Sequence, residues 1–389
     1  MRYFNYLSEK EEKELFFKSP QSIDANNKDL LEHALGATLY MPATRSTIAQ
    51  EIISGKLKGL MSMVLCLEDA IGDNEVIRAE ALLVSQIKEL ALTVAQDGIG
   101  LKDIPMIFLR IRNAEQMKRI TEALADHISL LTGFVFPKFT ASNGWEYLNV
   151  LSEINKYLEK SIYGMPILES PEIIYTESRQ KNLLEIRTLL DHYRFLVLNV
   201  RIGATDFSGL FGLRRSPDMT IYDIRVIDSC ITDIINIFTR PENSYVIPGP
   251  VWEFYSSERV LKPQLRQGIF SESLGQAGRG VRENIICRYI DGLIHEVILD
   301  KANGLIGKTI IHPSHIKPVQ ALCVVTHEEY MDASSILANN HGELGVIASQ
   351  YANKMNEIKP HLRWAQKIMI KSKIYGVFNE QHNFTSLLT

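Results

Sequence analysis

Eight short apolar runs, separated by stretches with helical periodicity, are the feature that most constrains the fold of this chain. Strands that are apolar along their whole length and alternate with helices are typical of a parallel sheet covered by helices. Eight such strands favour a closed (β/α)₈ TIM barrel over an open doubly wound sheet, so we predict an α/β barrel. The runs lie at 37–42, 61–68, 105–111, 133–138, 165–169, 195–203, 244–249 and 308–313.

The stretches between the runs have the periodicity of amphipathic helices. In the stretch 74–96, apolar residues such as Leu83, Ile87 and Leu90 recur at steps of three and four residues. The other predicted helices span 114–126, 143–160, 178–192, 222–239 and 281–303.

The chain has 389 residues, which exceeds the roughly 250 of a minimal barrel. We predict an N-terminal helical extension at 1–36, the barrel at 37–319, and a C-terminal helical extension at 320–389 that packs on a neighbouring subunit. The polar, glycine-bearing segment 250–280 is a candidate lid, inserted after the seventh strand on the face where barrel enzymes hold their active sites. Its phrase GQAGRG lacks a preceding apolar strand, so we do not interpret it as a nucleotide-binding loop.

Composition argues against several classes of partner. The net charge of -4, with both signs mixed along the chain, provides no basic surface for nucleic acid. No apolar run approaches the roughly 20 residues of a membrane span, and the N-terminus lacks the pattern of a signal peptide. The four cysteines are widely spaced, which favours reduced thiols over a zinc site or a disulfide framework. We therefore expect a cytoplasmic protein.

Charged residues follow the apolar runs, where a barrel enzyme carries its catalytic groups. Carboxylates and cations are therefore expected around one mouth of the barrel. Among the cations, Arg45, Arg110 and Lys138 are candidate substrate-binding residues. The polar residues at the run ends are Arg45, Glu68, Asp69, Arg110, Arg112, Lys138, Glu169, Asp206 and His312.

Carboxylates without neighbouring cysteine or histidine clusters suit Mg²⁺ better than zinc. Mg²⁺ needs only one or two protein carboxylates, so Glu169 and Asp206 are a sufficient pair. Such an ion would bind a 2-oxo acid or carboxylate and, as a Lewis acid, stabilise an enolate. The forked guanidinium of Arg110 is a candidate to hold the substrate carboxylate or a developing oxyanion.

Each of these residues also has a purely structural interpretation. A carboxylate after a strand is often the N-cap of the next helix, which applies to Glu68, Asp69, Glu169 and Asp206. The arginines could form ion pairs around the rim that contribute little energy. For His312, which precedes Pro313, we favour a structural role.

Seven phrases resemble, in the same order, motifs of the HpcH/HpaI aldolase and citrate lyase β-subunit superfamily. The last is the most specific, because it is close to the family's GK-x-x-IHP-x-Q phrase. The sequence is similar to a divergent branch of C–C bond lyases found with tellurium- and stress-resistance proteins. The phrases are LYMPATR at 39–45, CLEDAI at 66–71, FLRIRN at 108–113, FPK at 136–138, ILES at 167–170, GATD at 203–206 and GKTIIHPSHIKPV at 307–319.

The resemblance implies that Glu169 and Asp206 are Mg²⁺ ligands and that Arg110 faces the substrate carbonyl and carboxylate. It also implies that Glu68 and Asp69 organise the metal-bound water and the substrate. Members typically act on small oxo acids or acyl-CoA thioesters and assemble as homotrimers or homohexamers. In relatives the general base comes from a neighbouring subunit's C-terminal segment, and Glu328, Asp332 and Glu343 lie in that region here without any being assigned.

The sequence departs from the family pattern at Cys66, Arg112 and Ser170, where the family has aspartate, asparagine and threonine. We therefore expect altered substrate choice with the metal chemistry kept, and no firm expectation of CoA binding. The predicted function is a Mg²⁺-dependent carbon–carbon lyase or aldolase acting on a small oxo acid or acyl thioester. The alternatives are an acyl-CoA thioesterase or hydrolase on the same scaffold, and a non-catalytic ligand-binding subunit.

Overall fold

The computed structural model describes residues 1–255 and 288–388, and its centre is a nearly closed barrel of eight parallel strands. These are β2 to β9, and the hydrogen-bonded order is β7-β6-β5-β4-β3-β2-β9-β8. Between β7 and β8, the Val200 N–H donates to the Val246 carbonyl at 3.0 Å. The predicted TIM barrel is confirmed. The strands are β1 Phe16–Lys18, β2 Ala37–Pro42, β3 Ser62–Cys66, β4 Met106–Arg110, β5 Leu131–Phe136, β6 Tyr163–Leu168, β7 Arg201–Ile202, β8 Gly249–Trp252, β9 Lys308–Ile310, β10 Val346–Ala348, β11 Met355–Glu357 and β12 Val377–Phe378.

Helices connect the barrel strands and cover their outer face. The α-helices are α1 Glu9–Leu15, α2 Lys28–Leu31, α3 Ile48–Ile53, α4 Val76–Ala95, α5 Ala114–Leu124, α6 Ala141–Asn155, α7 Pro171–Ile174, α8 Thr176–His192, α9 Ala204–Leu210, α10 Arg225–Phe238, α11 Arg288–Ala302, α12 Ile316–Cys323, α13 His327–Ala338 and α14 Ile358–Tyr375. All six predicted helices are present, although 281–287 of the last one lie outside the described residues. Most of the candidate lid, with GQAGRG, also lies outside them.

The strand register brings the charged run ends to one edge of the barrel. Cys66, the last residue of β3, pairs with Pro42 of β2 and with Arg110 of β4, so three strands end at the same level. Because parallel strands end together, Glu68, Asp69 and Arg110 converge although about 40 residues separate them in sequence.

The runs 195–203 and 244–249 coincide only in part with strands. The run 195–203 forms a strand only at Arg201–Ile202, apart from a single bridge between Val197 and Gly164. The run 244–249 precedes β8, which begins at Gly249. Burial makes the whole run apolar, whereas a strand extends only where a neighbouring chain supplies a hydrogen-bonded ladder, which composition does not reveal.

The two ends of the chain meet beside the barrel. Strand β1 pairs antiparallel with β12, with Phe16 opposite Phe378. Helices α13 and α14 pack against each other around a second, smaller core that includes Ile336 and Ile368. The sequence predicted helices here, and the structure adds the hairpin of β10 and β11, whose three-residue strands are too short for a recognisable alternation. Within the described ranges, no helix combines the length and the apolarity needed to cross a bilayer.

Candidate active site

Glu169 follows β6 and is held in one place by its backbone surroundings. Only 3% of the residue is exposed, and its Oε1 accepts a hydrogen bond from the Lys138 backbone N–H at 2.8 Å. Gly203 makes room for it, because a Cβ at that position would lie 2.1 Å from Oε2. The N-cap of the following helix is Ser170, so Glu169 is not a helix cap.

Asp206 follows β7 as the third residue of α9, and its carboxyl is a hydrogen-bonding neighbour of Glu169. The N-cap of α9 is Gly203, which rules out a capping role for Asp206. Both carboxyls line one cavity of about 690 Å³ at the carboxyl ends of the strands. The structure thus brings the two predicted metal ligands together, 37 positions apart in sequence.

The pairing of two carboxyls changes the chemistry of Glu169. Burial, reinforced by the charge of Asp206, raises the pKa of Glu169 to about 8, although the nearby Arg110 favours the ionised form. A cation placed between the two carboxylates would replace the proton that this environment otherwise retains.

Arg110 and Lys138 bridge the acidic side chains around the mouth. The Arg110 guanidinium contacts Glu68, and its Nη2 lies 3.1 Å from Asp69 Oδ2 and 3.5 Å from Glu169 Oε1. Lys138 Nζ lies 2.5 Å from Glu68 Oε1 and 3.3 Å from Asp69 Oδ2. Five of the predicted site residues therefore form one charged network.

This network holds Asp69 and Lys138 in their charged forms. Although burial opposes it, the hydrogen bond with Glu68 and the charges of Arg110 and Lys138 hold the pKa of Asp69 below its ordinary value. Partial burial lowers the pKa of Lys138, but the contacts with Glu68 and Asp69 outweigh this effect and raise the pKa to about 12.

The backbone of Lys138 has an unusual conformation, with φ at 48°. A non-glycine residue in the left-handed region costs of order 1 kcal/mol and is often found at functional sites. Here the conformation directs the backbone N–H to Glu169 while the side chain reaches Glu68. One residue therefore positions two carboxylates of the site.

Two predicted residues make contacts elsewhere. Arg45 donates from Nη2 to Glu51 Oε1 at 2.6 Å and is not among the cavity-lining residues. His312 caps the turn that follows it, with Nδ1 2.8 Å from Ser314 Oγ, and stacks on Tyr255. The rim and structural interpretations therefore describe these two side chains better than substrate contact.

Two of the three candidate general bases, Asp332 and Glu328, make internal contacts. Asp332 is 1% exposed, and its Oδ2 lies 2.8 Å from Lys354 Nζ, while Glu328 contacts the same lysine. None of Glu328, Asp332 and Glu343 lines the cavity of its own chain.

The sequence did not single out Arg201, Tyr40 and Thr309, which also line the cavity. Arg201 is 2% exposed, and its Nη2 donates to Thr309 Oγ1 at 2.6 Å. The available signal was a positively charged residue inside the apolar run 195–203, where a strand buried on both faces has no obvious place for one.

The donors of the site fit a hard cation. Among residues 1–255 and 288–388, no three histidine, cysteine, aspartate or glutamate side chains meet as a ready-made ligand set. Glu169 and Asp206 supply the one or two carboxylates that Mg²⁺ ordinarily takes from a protein, with water and substrate providing the remaining ligands.

The chain matches one described family and several solved structures. The profile of a family described as C–C bond lyase of the TIM-barrel fold matches residues 29–377. A citrate lyase from Burkholderia xenovorans LB400 has a TM-score of 0.59 at 13% identity, covering 91% of this chain and 96% of that one. CitE from Mycobacterium tuberculosis, in complex with magnesium, acetoacetate and coenzyme A, has a TM-score of 0.52 at 16% identity, covering 88% and 99%. Comparison with curated proteins finds no significant match.

Proposed function

This chain belongs to the family of C–C bond lyases of the TIM-barrel fold, and we propose that it is a Mg²⁺-dependent lyase or aldolase acting on a small 2-oxo acid. The observation that carries the proposal is the meeting of Glu169 and Asp206 at one cavity, with Arg110 beside them. The mycobacterial protein was solved with magnesium and acetoacetate, which makes a magnesium ion and a small oxo acid the first ligands to test.

In this proposal Glu169 and Asp206 hold the ion through carboxylate oxygens. The bound ion supplies Lewis-acid polarisation of a carbonyl next to the bond that is made or broken. Arg110 binds the substrate carboxylate through its planar fork, which its contacts with Glu68 and Glu169 orient towards the cavity. Electrostatic contacts are strengthened because apolar side chains, including Ile167 and Ile202, line the same cavity and limit access of water.

The metal site can be tested by titrating Mg²⁺ into the purified protein in a calorimeter. We expect Glu169→Gln and Asp206→Asn each to weaken binding by about 100-fold or more, because each removes a charged ligand. The matched control is Glu115→Gln, which changes an exposed carboxylate that contacts Lys118 on α5. Unchanged Mg²⁺ binding in both site variants would refute the assignment.

The reaction can be tested by mass spectrometry of products from a panel of oxo acids and acyl thioesters. A lyase splits the carbon skeleton, and both site variants should abolish that turnover. A thioester consumed with its carbon skeleton intact would instead support the thioesterase alternative.

A further inference from the structure

Arg201 is a buried cation without a counter-charge in the described structure. Its guanidinium contacts the Thr309 hydroxyl at 2.6 Å and the Met165 sulfur at 3.8 Å, and lies 5.5 Å from the Tyr40 ring centre. Across residues 1–255 and 288–388, no carboxylate forms an ion pair with it. Arg110, which lines the same cavity, and Arg215, which donates to the Val251 carbonyl of β8, both have carboxylate partners.

A buried charge without a partner is unfavourable unless a ligand compensates for it. The neighbours of Arg201 are a hydroxyl, a thioether and an aromatic face, all uncharged. Burial lowers the pKa of Arg201, which is the direction expected when the environment opposes the cation. The unbalanced charge faces the cavity that contains the candidate metal ligands.

The strand register places Arg201 deeper in the barrel than the candidate metal ligands Glu169 and Asp206. Arg201 of β7 pairs with Ile167 of β6, and Glu169 lies two residues further along β6 towards the mouth. Two residues of a strand span about 6.6 Å, which is close to the length of a four- or five-carbon chain. Tyr40, whose ring centre lies 5.5 Å from the Arg201 guanidinium, is within electrostatic reach of both Arg201 and Arg110.

We propose that Arg201, with Thr309 and Tyr40, binds the second carboxylate of the substrate, so that the preferred substrate class is 2-oxo dicarboxylates. This inference rests on the proposed function, because the 2-oxo carboxylate end of the substrate lies at the metal ligands and Arg110. A carboxylate suits the subsite, because a planar two-oxygen group matches one guanidinium fork and one hydroxyl. A phosphate would ordinarily require more hydrogen-bond donors than Arg201, Thr309 and Tyr40 offer.

The first test compares two ligands that differ only at the distal end, 2-oxoglutarate and 2-oxopentanoate, by calorimetry with Mg²⁺ present. We expect the wild-type protein to bind the dicarboxylate at least about tenfold more tightly, since the matched charge is buried. Oxaloacetate against 2-oxobutyrate repeats the comparison with one carbon fewer. Equal affinities within both pairs would overturn the inference without any variant being made.

The second test uses Arg201→Met, which keeps the length of the side chain and removes its charge. The dicarboxylate preference should disappear, while the affinity for 2-oxopentanoate stays unchanged. Thr309→Val, which keeps the charge, should reduce the preference less. The control Arg225→Met removes an exposed arginine and should change neither affinity.

Thermal stability separates this role from a structural one. Without ligand, Arg201→Met should melt at the same temperature as wild type or higher, because the variant no longer buries a charge without a carboxylate partner. A variant that melts much lower and loses affinity for both ligands equally would overturn the inference. If Arg201→Met does not fold, Arg201→Lys and the wild-type ligand pairs decide the question.

The outcome is distinguishable from failure of the proposed function. If the wild-type protein does not bind Mg²⁺, the metal site is refuted, whichever oxo acid the protein prefers. A normal Mg²⁺ and 2-oxopentanoate affinity without preference for the dicarboxylate would leave the metal site intact and refute only the Arg201 subsite.

Discussion

Two groups of charged side chains in this barrel differ in whether their charges balance. The inner ion cluster consists of Arg215, Glu296, Asp300 and Lys308, which is two cations with two carboxylates. Lys308 Nζ lies 2.8 Å from Glu296 Oε1 and 2.7 Å from Asp300 Oδ2, and Arg215 contacts Glu296. All four residues are at most 5% exposed. The charges of these four residues cancel one another, and Arg215 Nε also lies 3.5 Å from Oε2 of the partly exposed Glu253. The cluster attaches α11 to the barrel.

The mouth cluster consists of four carboxylates and two cations, Glu68, Asp69, Glu169, Asp206, Arg110 and Lys138. When every member is ionised it carries two unbalanced negative charges, which equals the charge of one divalent cation. The inner cluster satisfies its charges within the protein, whereas the mouth cluster leaves charge facing a cavity. The comparison indicates that charge balance, rather than burial alone, distinguishes a structural ion network from a site prepared for a ligand.

The largest expected effect tests whether the inner ion cluster stabilises the fold. Lys308→Met removes the cation between two buried carboxylates and should lower the free energy of unfolding by about 3–5 kcal/mol. Mg²⁺ affinity should not change, because Lys308 does not line the cavity. Denaturant unfolding and calorimetry measure the two quantities, with the exposed Lys118→Met as the control. A parallel loss of Mg²⁺ affinity would show that the clusters are coupled.

The next effect concerns the space beside Glu169. In Gly203→Ala the new Cβ would lie 2.1 Å from Glu169 Oε2 and 2.4 Å from its Cβ, so the carboxylate must move. We expect Mg²⁺ affinity to fall by about 100-fold, or about 2.7 kcal/mol, since ligand geometry is lost.

The control for this variant is Gly209→Ala on α9. Its Cβ would meet nothing within 4 Å, and alanine should add about 0.5–1 kcal/mol to helix stability. Equal Mg²⁺ affinities in the two alanine variants would contradict the role assigned to the Glu169 pocket.

The polar residues at the strand ends could be predicted from the sequence for a physical reason. Parallel strands covered on both faces are apolar throughout, so Glu169 at the end of β6 and Asp206 after β7 stand out, and barrel geometry predicts that such ends converge. Glu68, Asp69, Arg110 and Lys138 followed from the same argument. The barrel itself followed from the count of eight runs.

Other features depend on long-range contacts that the sequence does not reveal. Arg201 lies within an apolar run, and only the fold shows that its side chain points into the lumen towards Thr309. The contact of Arg45 with Glu51 depends on the start of α3, which the sequence analysis did not predict. The sequence also gives no measure of charge balance, because it does not show that Lys308 sits between Glu296 and Asp300.

The pH dependence provides a smaller effect on the mouth cluster. The pKa of Glu169 is about 8, raised from 4.5. In the metal-free folded protein Glu169 therefore holds a proton that the unfolded chain releases. Without metal, the free energy of unfolding should therefore fall as the pH rises from about 4.5 to 8. Mg²⁺ displaces this proton, so its affinity should rise about tenfold per pH unit up to about 8 and level off above.

Calorimetry between pH 6 and 8.5, in buffers of different ionisation enthalpy, measures both the affinity and the proton released. One proton should leave per ion bound below pH 8, and the release should vanish in Glu169→Gln if that variant still binds detectably. An affinity that does not vary with pH below 8 would contradict the buried pairing of Glu169 with Asp206.

The smallest expected effect concerns Arg45, a cation at a strand end that belongs to neither cluster. Its side chain is 39% exposed and pairs with Glu51, which also contacts Lys56 at 2.9 Å. Arg45→Ala should lower the free energy of unfolding by about 1 kcal/mol or less, because Glu51 keeps one cationic partner. The affinities for Mg²⁺ and oxo acids should match wild type within about twofold, whereas Arg110→Ala should lose oxo-acid binding. A loss of oxo-acid affinity in Arg45→Ala comparable to that in Arg110→Ala would return Arg45 to the substrate site and extend the mouth cluster to the end of β2.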